Sequence, residues 1–302
     1  VTGFASPPNE ILLAGATGGL GRRIGRALRA RGAGVKAVVR RGTSADRIAP
    51  LREAGVTVVE VDLNDLGQLK GACVGVDCVV SALNGLHETI IGTQSVLLDA
   101  AIAAGVPRFM PSDFCLDFSR TPAGSNRNMD LRREFKARLD AAPIRATSIV
   151  NGAFMDMLTG QAPFILFVPR RVIHWGDADQ ALDFTTMDDV AAYTAAAAMD
   201  PDAPRWLRIA GEVTSPRGLA AAANEVTGKP FKTFRVGGIG FLEGMIKAAR
   251  LVAPGKGQVF PPWQGMQYMR DMFSGDGKLA PLDNDRYPGI GWTEVRTVLA
   301  GR

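Results

Sequence analysis

A short apolar run, Ile11–Ala14, meets the glycine cluster GATGGLG at 15–21, and a basic amphipathic segment begins directly behind it. No other stretch restricts the possible folds so strongly. The apolar run bounded by glycine predicts a buried strand. From Leu20 to Arg31, Leu20, Ile24, Ala27 and Leu28 fall at helical spacing, with Arg22, Arg23, Arg26 and Arg29 elsewhere on the wheel. Between strand and helix, Gly15, Gly18 and Gly21 are spaced G-x-x-G-x-x-G. Gly15 permits a tight turn. Gly18 and Gly19 let backbone N–H groups approach a pyrophosphate, and Gly21 lets the helix pack close to the strand. The helix N-terminus adds a partial positive charge. The competing reading is a glycine-rich turn that holds no ligand. The strand–turn–helix–strand setting favours the cradle.

The rest of the first half repeats this rhythm. Strands are predicted at 35–39, 56–61, 77–81, 108–111 and 145–150. Helices are predicted at 44–54 with Ser44 as N-cap, at 65–71, at 88–104 ending on Gly105, and at 128–141 just before Pro143. Six short apolar strands alternating with helices predict an α/β fold, a doubly wound parallel sheet of the Rossmann kind. Beyond Asn151 the pattern changes to short strands near 171–175, 181–185 and 231–236. Helices are expected near 188–199, 215–227, 238–252 and 262–274. The expected division is a nucleotide-binding domain at 1–151 and a smaller mixed α/β substrate domain at 152–302, interleaved at their edges.

Composition narrows the function. Of 302 residues, 46% are hydrophobic and 22% charged, which excludes a disordered chain. The longest apolar candidate, APFILFVP at 162–169, is too short for a bilayer, so no membrane partner is expected. The opening VTGFASPPNE lacks the parts of a secretory signal and reads as a disordered lead-in ending at Pro7-Pro8. A net charge of +5, scattered apart from a dense run at 22–31, is too mild for nucleic acid and suits a phosphorylated cofactor. Cys73, Cys78 and Cys115 form no C-x-x-C pair, and their odd count fits a reducing, cytoplasmic setting. His87 and His174 stand alone, and HETII at 87–91 lacks a second histidine, so no metal site is expected.

The end of the second strand selects the nucleotide. An NAD-binding chain usually places Asp or Glu there for the ribose 2′-hydroxyl. Here the strand ends VVRRGTSADR, with Arg40 and Arg41 in that place and Arg47 on the next helix. Cations at this point match a 2′-phosphate, so the expected cofactor is NADP(H). The alternative is a pair of solvated surface arginines.

Taken together, these segments resemble the NmrA-like and isoflavone-reductase-like branch of the atypical short-chain dehydrogenases. The resemblance rests on GATGGLG at 15–21, VVRR at 38–41, GVTVVEVDLND at 55–65, GVDCVVSAL at 75–83, AGVPRFMPSDF at 104–114 and NGAFMDML at 151–158. WGDADQALDFTTMDDVAAY at 175–193 and LRIAGEVTS at 207–215 extend it. The resemblance implies that Gly15, Thr17, Gly18, Gly19 and Leu20 wrap the pyrophosphate and that Arg40 holds the 2′-phosphate. It implies further that Asp62 and Leu63 border the adenine, and that Ser81, Ala82 and Leu83 line the path to the nicotinamide. Pro111, Ser112, Asn151 and Phe154 would lie at the nicotinamide end.

The pattern departs from ordinary short-chain dehydrogenases in its catalytic groups. Tyr193, Tyr268 and Tyr287 have no lysine four residues on, so Tyr-x-x-x-Lys is absent. Isoflavone-reductase-like enzymes place Lys, then Arg four residues later, on the helix after the fifth strand. The matching NMDLRREFKARLD holds them reversed, as Arg132 then Lys136. Their spacing sets both on one helical face. Lys136 is the expected acid–base group, and Arg132 the stabiliser of charge on a substrate oxygen. Both could instead be solvated charges beside Glu134 and Arg138, and a one-residue shift of register would substitute Arg133. Cys115, just past the fifth strand, is expected near the pocket and is expected to react fastest with a bulky thiol reagent.

The expected function is NADPH-dependent reduction of a small, aromatic or quinone-like substrate. The alternatives are an NmrA-type redox sensor that binds NADP(H) and a protein partner without turnover, and an isomerase or epimerase using the cofactor transiently. Homo-oligomerisation is left open. Phe241, Phe260, Trp263, Met266, Met269, Met272 and Phe273 offer apolar bulk for a pocket roof, although such residues also build domain cores.

Overall fold

The computed structural model describes residues 9–160 and 164–302. The lead-in through Pro8 and the first two residues of the 162–169 run lie outside the described residues.

In chain order the first half comprises β1 (Glu10–Ala14), α1 (Gly19–Ala30), β2 (Gly34–Arg40), α2 (Ala45–Glu53), β3 (Thr57–Val61), α3 (Leu66–Cys73) and β4 (Cys78–Ser81). A π-helical turn at Glu88–Thr93 runs into α4 (Gln94–Ala103). Then come β5 (Arg108–Met110), α5 (Arg127–Asp140) and β6 (Arg145–Ala146). The six strands form one sheet in the order β3-β2-β1-β4-β5-β6, every neighbouring pair parallel. This is the expected doubly wound sheet, and its order reverses between β1 and β4. Ala14 pairs with Val38 on one side and Ser81 on the other, which levels the carboxyl ends of three strands at that reversal.

Apolar burial explains why these segments hold. Ile11, Leu12 and Leu13 are fully buried, and Leu12 belongs to a core cluster with Leu69, Val79, Leu97, Phe109 and Phe135. Helix α1 buries Gly21, Ile24, Gly25 and Leu28, one stripe at helical spacing. Two buried branched side chains contribute about 3–6 kcal/mol. That exceeds the roughly 1 kcal/mol that each interior glycine costs a helix.

The chain continues with β7 (Ser148–Val150), β8 (Ala153–Phe154), a 3-10 turn at Met155–Thr159, β9 (Ile165–Leu166), β10 (Arg171–Trp175), β11 (Leu182–Thr185), α6 (Met187–Met199), β12 (Trp206–Arg208) and β13 (Glu212–Thr214). It ends with α7 (Pro216–Thr227), β14 (Lys232–Gly237), α8 (Ile239–Val252), α9 (Pro262–Phe273), a short 3-10 turn and α10 (Val295–Ala300). Two compact units result. The first comprises residues 1–112, 134–149 and 190–206, and the second 113–133, 150–189 and 207–302. In the first, buried Arg108 donates to the carbonyl of Ala197 at 3.0 Å and to those of Ala198 and Asp200, satisfying the C-terminal end of α6. The second holds two three-stranded sheets, β14-β10-β9 and β13-β11-β8. Its α7 begins with Ser215 accepting from the Gly218 N–H at 3.2 Å and ends on left-handed Gly228.

Three details depart from the expectation. Ser44 stands at the N-cap of α2 without a side-chain capping bond. The predicted helix at 88–104 opens with a π turn. The predicted strand at 145–150 breaks at Thr147, whose N–H still donates to Phe109 O at 3.1 Å, whereas the Ser148 N–H turns to Arg205 O at 2.8 Å. The ladder changes partner there, so one apolar run becomes two strands.

Candidate active site

The glycine loop is built by close backbone approach. Gly15 has φ +79°, and a Cβ there would lie 2.4 Å from Ala82 O, at the end of β4. A Cβ on Gly21 would lie 2.2 Å from Gly15 O. These two glycines are required by the fold itself. Gly18 differs: its φ of −80° and ψ of 168° suit any residue, and an added Cβ would meet only Gly15 O, at 3.3 Å. Gly18 and Gly19 are exposed, no side chain caps α1, and no acidic residue lies in its first turn. An uncapped, electropositive helix end behind a bare loop fits a pyrophosphate. Thr17 and Leu20, both partly buried, flank it, and Thr17 Oγ1 accepts from Arg47 Nη2 at 3.0 Å.

The strand-end arginines are not equivalent. Arg41 Nη2 donates to Gln68 Oε1 at 2.9 Å, and the same oxygen accepts from the Asp62 N–H at 3.0 Å. Asp65 caps α3 through the Gln68 N–H at 3.1 Å, and that hydrogen bond holds its carboxyl below the usual range. Asp62 is exposed, bound to the Asn64 N–H at 2.9 Å, and Leu63 beside it is buried. Arg40 is exposed, and its guanidinium has no partner among the described residues, although its carbonyl accepts from Thr43 Oγ1 at 2.6 Å. Arg41 is therefore fixed, and Arg40 is the free cation at this strand end.

At the carboxyl end of β4, Ser81 is fully buried and its Oγ has no hydrogen-bond partner among the described residues. Ala82 is partly exposed and Leu83 buried. The Leu83 carbonyl accepts from Ser112 Oγ at 2.6 Å, and the Ser112 N–H donates to Gln94 Oε1 at 3.0 Å, next to buried Pro111. Gln94 Nε2 donates in turn to Ile90 O at 3.2 Å, inside the π turn. Gln94 thus satisfies a carbonyl of the irregular turn while pinning the loop after β5. No motif marked this residue in the sequence.

In the second unit, Asn151 is fully buried. Its N–H donates to Cys115 O at 2.9 Å, its carbonyl accepts from Thr185 Oγ1 at 2.7 Å, and its Oδ1 has no partner among the described residues. Phe154 is partly exposed. Arg132 is buried on α5. Its Nη1 donates to Asn128 O at 2.9 Å and its Nε has no partner among the described residues. Burial opposes its charge, but Cys115, Tyr268 and Asp113 outweigh that and hold its pKa above the ordinary value. Arg133, the residue a shifted register would have used, is instead tied to Asp130 at 2.5 Å and to Phe118 O at 2.6 Å.

Lys136 belongs to a different group, in the first unit. Its ammonium is paired with Asp140, which also accepts from Arg205 Nη2 at 2.8 Å, and it lies 5.9 Å from the centre of the Trp206 ring. Partial burial raises the Asp140 carboxyl, and the bonds from Lys136 and Arg205 override this to leave it lowered. Lys136 thus serves an ion pair that the sequence pattern did not show. All three thiols are buried: Cys115 is 5% exposed against 0% for Cys73 and Cys78, and burial pushes it up to about 12, against about 11 for the other two. Of the seven apolar residues expected over a pocket, Trp263, Met269, Met272 and Phe273 are core, Met266 is partly buried, and Phe241 and Phe260 are exposed.

The sheet order, the glycine loop and the bare helix end define a Rossmann-type dinucleotide-binding protein. The NmrA-like family matches residues 7–252, and the chain belongs to that family. It is 32% identical over 247 residues to the isoflavone reductase homolog IRL of Zea mays, covering 76% of this chain and 78% of that protein. With pinoresinol reductase 2 of Arabidopsis thaliana it shares 34% identity over 207 residues, 64% of this chain and 65% of the relative. The solved structure of AtPrR2 with NADP+ and (+)pinoresinol superposes with a TM-score of 0.83 at 26% identity, over 98% of this chain and 99% of that one. Among the described residues, no helix is long and apolar enough to cross a membrane.

Proposed function

We propose that this chain is a reductase of small aromatic or quinone-like substrates, taking hydride from the nicotinamide of NADPH. The chain is an NADP-dependent oxidoreductase; its relatives include pinoresinol reductases, and AtPrR2 binds NADP+ together with (+)pinoresinol. Gly15, Thr17, Gly18, Gly19, Leu20 and Gly21 would hold the pyrophosphate, and Arg40 the 2′-phosphate, with Arg41 fixing the adenine flank of Asp62 and Leu63. Ser81, Ala82, Leu83, Pro111, Ser112, Asn151 and Phe154 would border the path to the nicotinamide. The observation that carries the reductase reading is Arg132, a buried cation with an unused Nε–H. Such a donor, away from water, stabilises negative charge developing on a substrate oxygen. The Asn151 N–H donates to Cys115 O, and Arg132 feels Cys115 electrostatically. Lys136, held by Asp140, has a structural role in this reading.

The second reading, an NADP(H)-binding sensor, draws support from the same exchange: the arginine that stands in the family's lysine position cannot give up a proton at ordinary pH. One experiment separates the two. NADPH consumption is measured with a panel of phenylpropanoid-like ketones, ethers and quinones. Turnover supports the reductase. Tight NADPH binding without turnover, with a protein partner in pull-downs, refutes it in favour of the sensor.

A further inference from the structure

We propose that β14 is a docking edge, and that an extended acidic segment of a partner protein adds to it as a fourth strand of the sheet β14-β10-β9. The inference goes beyond the reductase reading and does not rest on it: none of the residues assigned above to cofactor or substrate lies on this sheet. Strand β14 is at the margin of the sheet, paired only with β10. Such a margin carries a row of backbone donors and acceptors that another chain can pair with.

Strand β14 runs parallel to β10, with Lys232 beside Arg171, Phe234 beside Ile173 and Arg235 beside His174. The Lys232 N–H donates to Arg170 O at 3.2 Å. Alternation along the strand then turns the backbone groups of Lys232 and Phe234 toward β10, and those of Thr233 and Arg235 away from it. Among the described residues nothing else bonds those two N–H and two C=O groups. Two outward-facing residues at this spacing are what a further strand needs to extend the ladder. Between them in sequence, the Phe234 ring is 53% exposed and offers an apolar cross-strand contact.

Charge selects the occupant. Arg170, Lys229, Lys232 and Arg235 are exposed and Arg171 is partly buried, and none of the five forms an ion pair among the described residues. All lie on β10, on β14 or within three residues of them. Other exposed arginines of this unit are paired, as Arg217 is with Asp179 at 2.8 Å and Arg296 with Glu225 at 3.4 Å. A second copy seated on this edge would set Lys232 and Arg235 among their own like charges. A segment carrying glutamates or aspartates pairs with them while its backbone satisfies Thr233 and Arg235. Exposed pairs of this kind are screened by salt, so they choose the partner more than they hold it, and the strand bonds supply the affinity.

The probe is a fluorescein-labelled octapeptide of alternating glutamate and valine, titrated against the full chain by fluorescence anisotropy. Expected is saturable binding with a Kd below about 1 mM. It should be lost when every backbone nitrogen of the peptide is methylated, which keeps the charge and removes the donors. Arg235→Glu should weaken binding about fivefold or more. Thr233→Pro should abolish it, because it removes an outward N–H and leaves the bonds to β10 in place. Hydrogen exchange reads the geometry in the parent, whatever the variants do to folding. The Lys232 and Phe234 amides should exchange slowly with and without peptide, and those of Thr233 and Arg235 quickly in the free chain and slowly with peptide. Failure of the peptide to bind, equal binding of the methylated peptide, or unchanged exchange at Thr233 and Arg235 overturns the proposal. Tighter binding of octathymidylate would assign the cations to nucleic acid, and a dimer that Thr233→Pro dissociates in sedimentation would assign the edge to a second copy; either result also overturns it.

Discussion

Gly18→Val separates a ligand cradle from a mere turn. At Gly18 the backbone is extended, which suits a branched residue, and an added Cβ meets one atom, Gly15 O at 3.3 Å, which must give by a few tenths of an ångström. Replacing glycine by valine at a helix N-cap costs about 1 kcal/mol, or about 2 °C in melting temperature for a chain of this size. The branched side chain, however, would stand over the exposed N–H groups of Gly19 and Leu20. Each hydrogen bond to a charged group contributes about 1.5–3 kcal/mol, so losing two weakens binding by about 3–6 kcal/mol. That is a rise in Kd of about 10²–10⁴. Fluorescence titration with NADPH reads the affinity, and circular dichroism reads the melt. Gly21→Ala serves as the contrast: its Cβ would lie 2.2 Å from Gly15 O, so the loss of binding should come with a clear loss of stability. A folded Gly18→Val protein that binds NADPH with parent affinity would refute the cradle.

Calorimetry should show NADP(H) bound at least tenfold more tightly than NAD(H), about 1.4 kcal/mol, with Arg40→Ala abolishing the difference. Equal affinities in the parent would refute the role of Arg40. Arg132→Ala should lower kcat by about 10² or more, whereas Lys136→Ala should leave turnover intact and cost at most about 1 kcal/mol of stability. The opposite pattern would return the acid–base role to Lys136. The Asp140 carboxyl is lowered in the folded chain, so its stabilisation is complete above its unfolded value of 3.8 and lost as pH falls through the folded one. Melts between pH 5 and 2 (about the range such a carboxylate spans) should show a smaller acid loss in Asp140→Asn, and identical profiles would refute it. Mapping of thiol modification should find Cys115 no faster than Cys73 or Cys78, since all three are buried; rapid, NADPH-sensitive labelling of Cys115 would contradict its burial.

Local pattern alone determined the parallel sheet and the glycine loop, because hydrophobic periodicity and turn chemistry act over a few residues. GATGGLG between an apolar strand and an amphipathic helix can bury its apolar face in few other ways, and Arg40 at the end of β2 is legible as a missing acid. The expected elements of the second half, from β10 at 171–175 to α9 at 262–273, were legible for the same reason. Two-residue strands such as β8 and β9 were not, since pairing rather than propensity creates them. The site chemistry was decided by tertiary structure. Spacing of i, i+4 set Arg132 and Lys136 on one helical face, but packing buried Arg132, while Asp140 and Arg205 claimed Lys136. Only the fold sets Gln94 under the loop after β5. A side chain's protonation and availability depend on which remote groups desolvate or pair with it, and that information is absent from any short window of sequence.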